Sequence, residues 1–245
     1  MGVLTRSLLY KGVSKPIGTD FGNYKDRYKE EVQRAVSFVG QNVDFFTEVK
    51  ARCLGRICKR YLGPPSCLHV LDVGCGVGLT DCFLAGIFGE LHGVDINEGV
   101  IEKAVLTNPS VYYQVYDGKR LPFADRSMDV IFTICVMHHI APADWLEMVH
   151  EFRRVTRKDG LVIVFEHNPF NPLTRRVVSN CEFDADAVLL KQSAVKRLMQ
   201  DSGIQVIEGS YILFLPFRGT IFSGLDQILK WLPLGAQYYV VGRKT

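Results

Sequence analysis

The chain has 245 residues, of which 47% are hydrophobic and 22% are charged, and its formal net charge is +3. This composition excludes intrinsic disorder, collagen and a coiled coil, and the length allows one or two domains with a sizeable core. The net charge is too small to indicate a nucleic-acid partner. Seven cysteines without a C-x-x-C pair, and charges at Arg6, Lys11 and Lys15 where a signal peptide would be apolar, favour a reduced, cytoplasmic protein.

The first 62 residues are the basic part of the chain, with 12 lysines and arginines against 6 acids. Residues 1–23 predict an arm, and Tyr24–Gly40 and Asp44–Leu62 predict two helices with apolar residues at helical spacing. A solvated helix face explains the charge better than contact with an anionic or membrane surface does. The longest apolar runs fall short of the ~18 residues that a membrane span needs, so we expect membrane contact to be at most peripheral.

Strands and helices are predicted to alternate after Gly63-Pro64-Pro65, where the N-terminal section ends. The predicted strands are Leu68–Val73, Leu91–Asp95, Val111–Tyr116, Met128–Val136, Leu161–Glu166, Ile204–Leu215 and Gln237–Gly242. The predicted helices are Leu79–Phe88, Glu98–Thr107, Pro142–Arg157 and Lys191–Asp201. This alternation indicates an α/β fold, a parallel sheet with helices on both faces. We therefore predict an N-terminal arm and helical cap over residues 1–62 and one α/β domain over residues 63–245.

A glycine-rich loop follows the first predicted strand, in Asp72-Val73-Gly74-Cys75-Gly76-Val77-Gly78. Small residues between a strand and a helix N-terminus let a ligand approach the backbone. A dinucleotide site requires G-x-G-x-x-G, but Leu79 occupies the place of the third glycine. A carboxylate at Asp72 would repel a pyrophosphate, whereas it suits a cationic ammonium. The loop therefore favours S-adenosylmethionine, which carries an α-amino group and a sulfonium.

Two further acids stand where that ligand needs them. Asp95 ends the second predicted strand, 17 residues after Gly78, from where a carboxylate can accept both ribose hydroxyls. Asp117 ends the third strand, where a carboxylate can accept from the adenine amino group. Either acid alone could be a turn or a helix cap. The complete set of predicted cofactor-binding residues is Asp72, Gly74, Cys75, Gly76, Gly78, Asp95, Ile96, Asp117, Gly118 and Cys135.

These motifs resemble the class I S-adenosylmethionine-dependent methyltransferases from about Leu68 to Gly242. The resembling segments are Leu71–Gly78, Gly93–Ile96, Asp117-Gly118 with Leu121-Pro122-Phe123, Asp129–Val136 and Leu161–Glu166. The resemblance implies a Rossmann-like seven-stranded sheet whose last strand runs antiparallel. It also implies that the residues before this sheet form an N-terminal helical extension. Asp44–Ala51, Glu166–Thr174, Cys181–Ala187 and Leu232–Tyr238 are similar to a bacterial subgroup whose substrate is unsettled.

Candidate catalytic residues follow two of the predicted strands. His138 and His139 come directly after the fourth strand, and Glu166 and His167 end the fifth. A histidine with an orienting carboxylate could act as general base for a hydroxyl acceptor. The alternative is that the imidazoles cap a helix or hold a loop. Because the spacing of these groups matches no recognised ligand signature, we predict no metal site.

The acceptor is left open by the sequence. Residues 216–234 are unusually apolar for a connection between strands, and they include Phe217, Phe222 and Trp231. This segment could cover a pocket for a small-molecule or lipid-linked acceptor, join a second subunit as a homodimer, or rest on a membrane surface. The leading function is methyl transfer by in-line displacement, and the alternative is a non-catalytic S-adenosylmethionine-binding protein.

Overall fold

The structure is a computed structural model that describes residues 42–214 and 231–245, together with Gln33 and Leu229. The predicted arm over residues 1–23 and the predicted helix Tyr24–Gly40 lie outside the described residues, as do Phe217 and Phe222. Among the described residues, no helix has the length and apolar character needed to cross a bilayer.

The described chain contains a seven-stranded sheet in the order β3-β2-β1-β4-β5-β7-β6. Its strands are β1 (His69–Val73), β2 (Glu90–Asp95), β3 (Tyr112–Val115), β4 (Met128–Ile134), β5 (Thr156–His167), β6 (Ile204–Ile212) and β7 (Gln237–Lys244). The pairs within β3-β2-β1-β4-β5 are parallel, and β7 runs antiparallel to both of its neighbours. The predicted fold class is confirmed, including the antiparallel last strand.

Six helices accompany these strands in the described part of the chain. They are α1 (Val43–Leu62), α2 (Asp81–Leu84), α3 (Glu98–Thr107), α4 (Trp145–Val155), α5 (Pro172–Asn180) and α6 (Gln192–Asp201). Short 3₁₀ turns lie at Pro65–Cys67, Met137–His139 and Glu182–Asp184. The prediction of a helix over Leu79–Phe88 was too long, since α2 is a single turn before Gly86, whose φ is +79°. The prediction missed α5, which begins with Pro172 after the capping residue Asn171.

The strand prediction was also too short at β5. The strand begins at Thr156 and continues through Asp159, which has a φ of 64°, before it reaches Leu161. The sequence Lys158-Asp159-Gly160 therefore forms an irregularity within the strand, where the register against β4 shifts.

The core has two layers, one on each face of the sheet. On one face, Phe152 of α4 and Met199 of α6 pack with Leu71 and Ile131. On the other face, α1 packs with the opposite side chains of the same strands, and its Leu54 is completely buried. This alternation of side chains along parallel strands explains why the strands are nearly continuous apolar runs. The domain boundary at residue 63 stays a prediction.

Asn97 shows how the polar residues between elements fix the helices. Its side-chain oxygen accepts from Val100 N at 3.2 Å and so caps α3. We expect Asn97→Ala to lower the free energy of unfolding by about 1 kcal/mol, because one N–H of the first turn loses its partner. Asn97→Ser should retain most of the stability in urea unfolding. Equal losses in both variants would contradict the capping role.

Candidate cofactor and acceptor site

The predicted site residues come together at one edge of the sheet. β1 lies between β2 and β4, so the order of the strands reverses at β1. In open α/β sheets, ligands bind outside the carboxyl ends of the strands at such a reversal. The glycine loop follows β1, Asp95 is the last residue of β2, and Cys135 follows β4.

All three glycines of the loop have positive φ, +77° at Gly74, +53° at Gly76 and +73° at Gly78. A Cβ atom at Gly74 would overlap the side chain of Val136, and one at Gly78 would overlap the Asn108 amide. A Cβ at Gly76 would meet nothing within 4 Å in the described chain. The outer glycines are therefore required by packing as well as conformation, while Gly76 borders open space.

Asp95 connects the second strand to the glycine loop. One carboxylate oxygen accepts from Gly76 N at 3.0 Å and the other from Asn97 N at 3.0 Å. Burial raises the pKa of Asp95, and these backbone hydrogen bonds oppose that shift. Each oxygen retains a second lone pair, so the carboxylate can accept from a pair of hydroxyls as well.

Asp72 forms a buried acidic pair with Asp81, a residue that the sequence analysis missed. Their side chains are 3% and 0% exposed, and Asp72 Oδ1 has no hydrogen-bond partner in the described chain. Burial and the Asp81 carboxyl raise the pKa of Asp72 well above its usual value. Burial also raises the pKa of Asp81 to about 6. Two close buried carboxyls, each with one oxygen that has no hydrogen-bond partner in the described chain, fit a cationic group of a ligand.

Asp81 is fixed by a hydrogen-bond network that involves Tyr113 of β3 and Asn108, the residue after α3. Tyr113 donates to Asp81 Oδ2 at 2.8 Å, and Asn108 donates to the Tyr113 hydroxyl at 3.0 Å. Asn108 also donates to the carbonyl of Gly78 at 3.0 Å. The acidic pair and the last glycine of the loop are thus fixed by one network, which begins on β3.

Asp117 lies at the same edge but in water. Its Oδ1 accepts from Lys119 N and Arg120 N, each at 2.8 Å, so it closes a turn after β3. These backbone hydrogen bonds hold the pKa of Asp117 below its usual value. Next to it, Gly118 has a φ of +77° and packs against Ile96, which is 42% exposed. An exposed apolar side chain between Asp95 and Asp117 suits a flat aromatic ligand group.

Cys135 stands at the end of β4 in an unusual conformation. Its φ is 57°, its N–H donates to Phe165 O, and Gln237 Nε2 donates to its sulfur at 3.3 Å. Burial raises the pKa of the Cys135 thiol to about 11. A thiol that stays protonated is a poor nucleophile, which supports a packing role.

A buried histidine cluster lies one strand further along the edge. His138 Nδ1 is 2.7 Å from Glu166 Oε2, and His138 Nε2 is 3.3 Å from Asp184 Oδ1. Burial alone would lower the pKa of His138, but the two carboxylates raise it to about 11. Without another cation, His138 is therefore charged and donates to both acids, an arrangement that does not suit a general base.

His139 and His167 complete this cluster. His139 Nε2 is 3.4 Å from Asp184 Oδ1, and its side chain is 31% exposed. The rings of His138 and His167 lie 5.2 Å apart, and His167 Nδ1 is 3.4 Å from Gln237 Nε2. Burial and the charge of His138 lower the pKa of both His139 and His167 to about 4. All four predicted catalytic residues thus belong to one cluster.

Asp184 is the second functional candidate that the sequence analysis missed. It lies in the 3₁₀ turn after α5, 46 residues from His138, and it contacts two of the histidines. Nothing local in the sequence marks it, because its partners His138 and His139 follow β4 and are distant from it in the sequence. For Asp81 the sequence does contain a signal, because this acid lies within Leu79–Leu84, which is mainly apolar. An acid in such a run is either exposed or paired with a specific partner.

The chain resembles known methyltransferases in sequence and in fold. Residues 71–164 match the methyltransferase domain family. The chain is 26% identical to a demethylmenaquinone methyltransferase of Beutenbergia cavernae over 58% of this chain and 60% of that protein. It is 33% identical to a 2-methyl-6-phytyl-1,4-hydroquinone methyltransferase of Synechocystis sp. over 70% of this chain and 58% of that protein. The chain thus spans about three fifths of the length of these two relatives.

A solved structure extends the likeness to nearly the whole fold. A SAM-dependent methyltransferase of Thermotoga maritima, described as a possible histamine N-methyltransferase, matches with a TM-score of 0.64 and 20% identity, over 92% of this chain and 98% of that one. The sheet and the glycine loop have the fold of the class I methyltransferases, and residues 71–164 match the methyltransferase domain. These matches indicate S-adenosylmethionine as the cofactor.

Proposed function

We propose that the protein transfers a methyl group from S-adenosylmethionine to a small, largely apolar acceptor at the carboxyl edge of the sheet. The observation that carries this proposal is the buried Asp72 oxygen without a partner, which stands next to a glycine loop that borders open space at Gly76. The amino acid part of S-adenosylmethionine would satisfy both features, since its ammonium can pair with Asp72 and its chain can lie along the loop.

The chain's own residues divide the work of holding the cofactor. Asp72 receives the ammonium, Gly74, Cys75, Gly76 and Gly78 let the ligand approach the backbone, and Asp95 accepts from the ribose hydroxyls. Ile96, Asp117 and Gly118 border the adenine, and Cys135 closes the cleft from β4. When bound, the cofactor supplies a methyl group on a positively charged sulfur, which is an activated leaving group. Alignment of the acceptor with that methyl can account for about 7–11 kcal/mol of the barrier.

An exposed apolar surface beside the histidine cluster supports an apolar acceptor. Phe170, Leu173, Trp231 and Leu234 are 56%, 56%, 73% and 62% exposed. The two segments that carry these side chains are joined, because Asn168 donates to Pro233 O and Gly235 O, and Asn171 donates to Leu234 O. We call these four side chains the apolar edge. Trp231 and Leu234 belong to residues 216–234, and an acceptor pocket is one of the three interpretations that the sequence allows for that segment.

The names of the relatives point in the same direction. One relative is named for demethylmenaquinone and another for a phytyl hydroquinone. Both are ring compounds that are poorly soluble in water, and both offer a carbon or an oxygen as methyl acceptor. We therefore favour a lipid-linked or otherwise apolar ring acceptor for this chain.

Product formation tests the proposed function. The full chain is incubated with S-adenosylmethionine and a panel of quinols, phenols and polar amines, and released S-adenosylhomocysteine is measured by mass spectrometry. We expect acceptor-dependent release with apolar ring compounds. If the protein binds the cofactor but releases no S-adenosylhomocysteine with any acceptor of the panel or with a cell lipid extract, the alternative of a non-catalytic S-adenosylmethionine-binding protein is favoured.

The apolar edge gives a matched pair of variants. We expect Trp231→Ser to raise the KM for an apolar acceptor several-fold and to leave cofactor affinity unchanged, because the exposed indole would lose its contact with the acceptor. Leu106→Ser is the control, since Leu106 is 84% exposed at the end of α3. If Trp231→Ser keeps the KM but changes the sedimentation coefficient, the apolar edge is a subunit interface and not an acceptor site.

A further inference from the structure

We infer that His138, His167 and Asp184 form a binding site for one divalent transition-metal ion, and that His139 lies beside this site without ligating the ion. Each of the three residues offers one ligand atom, and these atoms lie within 4.8 Å of one another. The site itself stands on this geometry alone, whereas its use in methyl transfer rests on the proposed function.

The distances within the cluster suit an ion better than they suit hydrogen bonds. Asp184 Oδ1 is 3.3 Å from His138 Nε2 and 3.4 Å from His139 Nε2, which is long for hydrogen bonds of charged groups. Ligand atoms about 2.0–2.1 Å from a zinc ion lie about 3.3–3.4 Å apart at the corners of a tetrahedron. The Asp184 and His138 ligand atoms therefore already have the separation of two tetrahedral ligands, and the ligand atom of His167 lies within 4.8 Å of both.

Glu166 orients His138 for this role. Its Oε2 lies 2.7 Å from His138 Nδ1, so a proton on Nδ1 leaves the lone pair of Nε2 directed at Asp184. A carboxylate that fixes a ligating imidazole from behind is the usual support of a histidine metal ligand. Glu166 is completely buried, and its Oε1 has no hydrogen-bond partner in the described chain.

A divalent cation would balance the negative charges of the two carboxylates in the cluster. With neutral imidazoles, Glu166 and Asp184 contribute two negative charges in a nearly closed space, where they are costly without a counter-charge. Two imidazoles and one carboxylate suit zinc, iron, cobalt or manganese and are a poor set for magnesium or calcium. The spacing in the sequence does not reveal this site, because its donors follow β4, β5 and α5 separately.

The position of the site suggests how it would act. Gln237 contacts both Cys135 and His167, so the metal site borders the cofactor cleft at β4. Three protein ligands leave at least one coordination position for another donor. An oxygen or nitrogen of the acceptor in that position would be fixed close to the cofactor, next to the apolar edge.

Metal binding by the full chain tests the inference without an activity assay. The protein is stripped with a chelator and titrated calorimetrically with Zn²⁺, and Co²⁺ absorption reports on the geometry. We expect one ion per chain and visible bands of a low-symmetry cobalt site. Asp184→Asn and His167→Gln should each weaken binding at least tenfold, and Glu166→Gln should weaken it by about 10–100-fold. His150→Gln, an exposed histidine of α4, is the control and should bind as the wild type does.

Two results would overturn the inference. One is less than half an equivalent of tightly held zinc in the wild type, in which case His138 is a charged bridge between two acids. The other is an equal loss in His150→Gln and Asp184→Asn, which would indicate scattered surface binding. Titration of the same samples with S-adenosylhomocysteine monitors folding. It also separates the two proposals, since absent metal binding with intact cofactor binding would leave the proposed function standing.

Discussion

Replacing Asp95 by alanine is expected to weaken S-adenosylhomocysteine binding by about 1–3 kcal/mol, or about 5- to 150-fold in Kd. The carboxylate has two roles that alanine cannot fill. In the proposed site it accepts from the ribose, and in the free protein it fixes the N–H groups of Gly76 and Asn97. The loss should therefore include a contribution from a looser glycine loop.

Calorimetric titration of Asp95→Ala and Asp117→Ala side by side tests this expectation. Asp117 is fully exposed and bonded to its own turn, so its replacement should have the smaller effect. Unchanged affinity in Asp95→Ala, with a native circular dichroism spectrum, would remove Asp95 from the proposed site.

Asp81→Asn is expected to stabilise the cofactor-free protein at pH 8 by up to about 3 kcal/mol. Burial raises the pKa of Asp81 from 3.8 to about 6, and two pKa units correspond to about 3 kcal/mol. Only the ionised carboxylate of Asp81 lowers the free energy of unfolding. This loss is therefore absent below pH 3.8, grows as the pH rises, and is complete above pH 6. The substituted amide can still accept from Tyr113 and can donate to Asp72.

Urea unfolding at pH 4 and pH 8 measures this difference. The gain in Asp81→Asn should be present at pH 8 and nearly absent at pH 4. Asp125→Asn provides the control, because Asp125 is exposed and its partner Arg154 lowers its pKa. An equal gain of Asp81→Asn at both pH values would show that the burial of charge is not the cause.

Much of the fold is predictable from the sequence because its signals are local. Buried parallel strands are apolar runs, and β4 contains such a run in Val130-Ile131-Phe132. The glycine loop carries its own signature, since each of its three glycines adopts a positive φ. These features lead to the sheet and to the cofactor class without any knowledge of contacts.

The remaining features depend on contacts between distant residues. The helix α5 was missed because prolines indicated a loop, whereas Pro172 occupies the first turn, where proline is tolerated. Asp81 meets Tyr113 across 32 residues, and Asp184 meets His138 across 46. A spacing rule for catalytic or metal sites cannot detect such partners, because the sheet brings them together at its edge.

A crystal structure of the full chain with S-adenosylhomocysteine tests the central claim most directly. We expect the ribose hydroxyls within hydrogen-bond distance of Asp95, the ammonium against Asp72, and the sulfur directed toward the histidine cluster and the apolar edge. A ligand that leaves Asp72 Oδ1 without a partner, or that lies away from the carboxyl ends of β1 and β4, would contradict the proposed site.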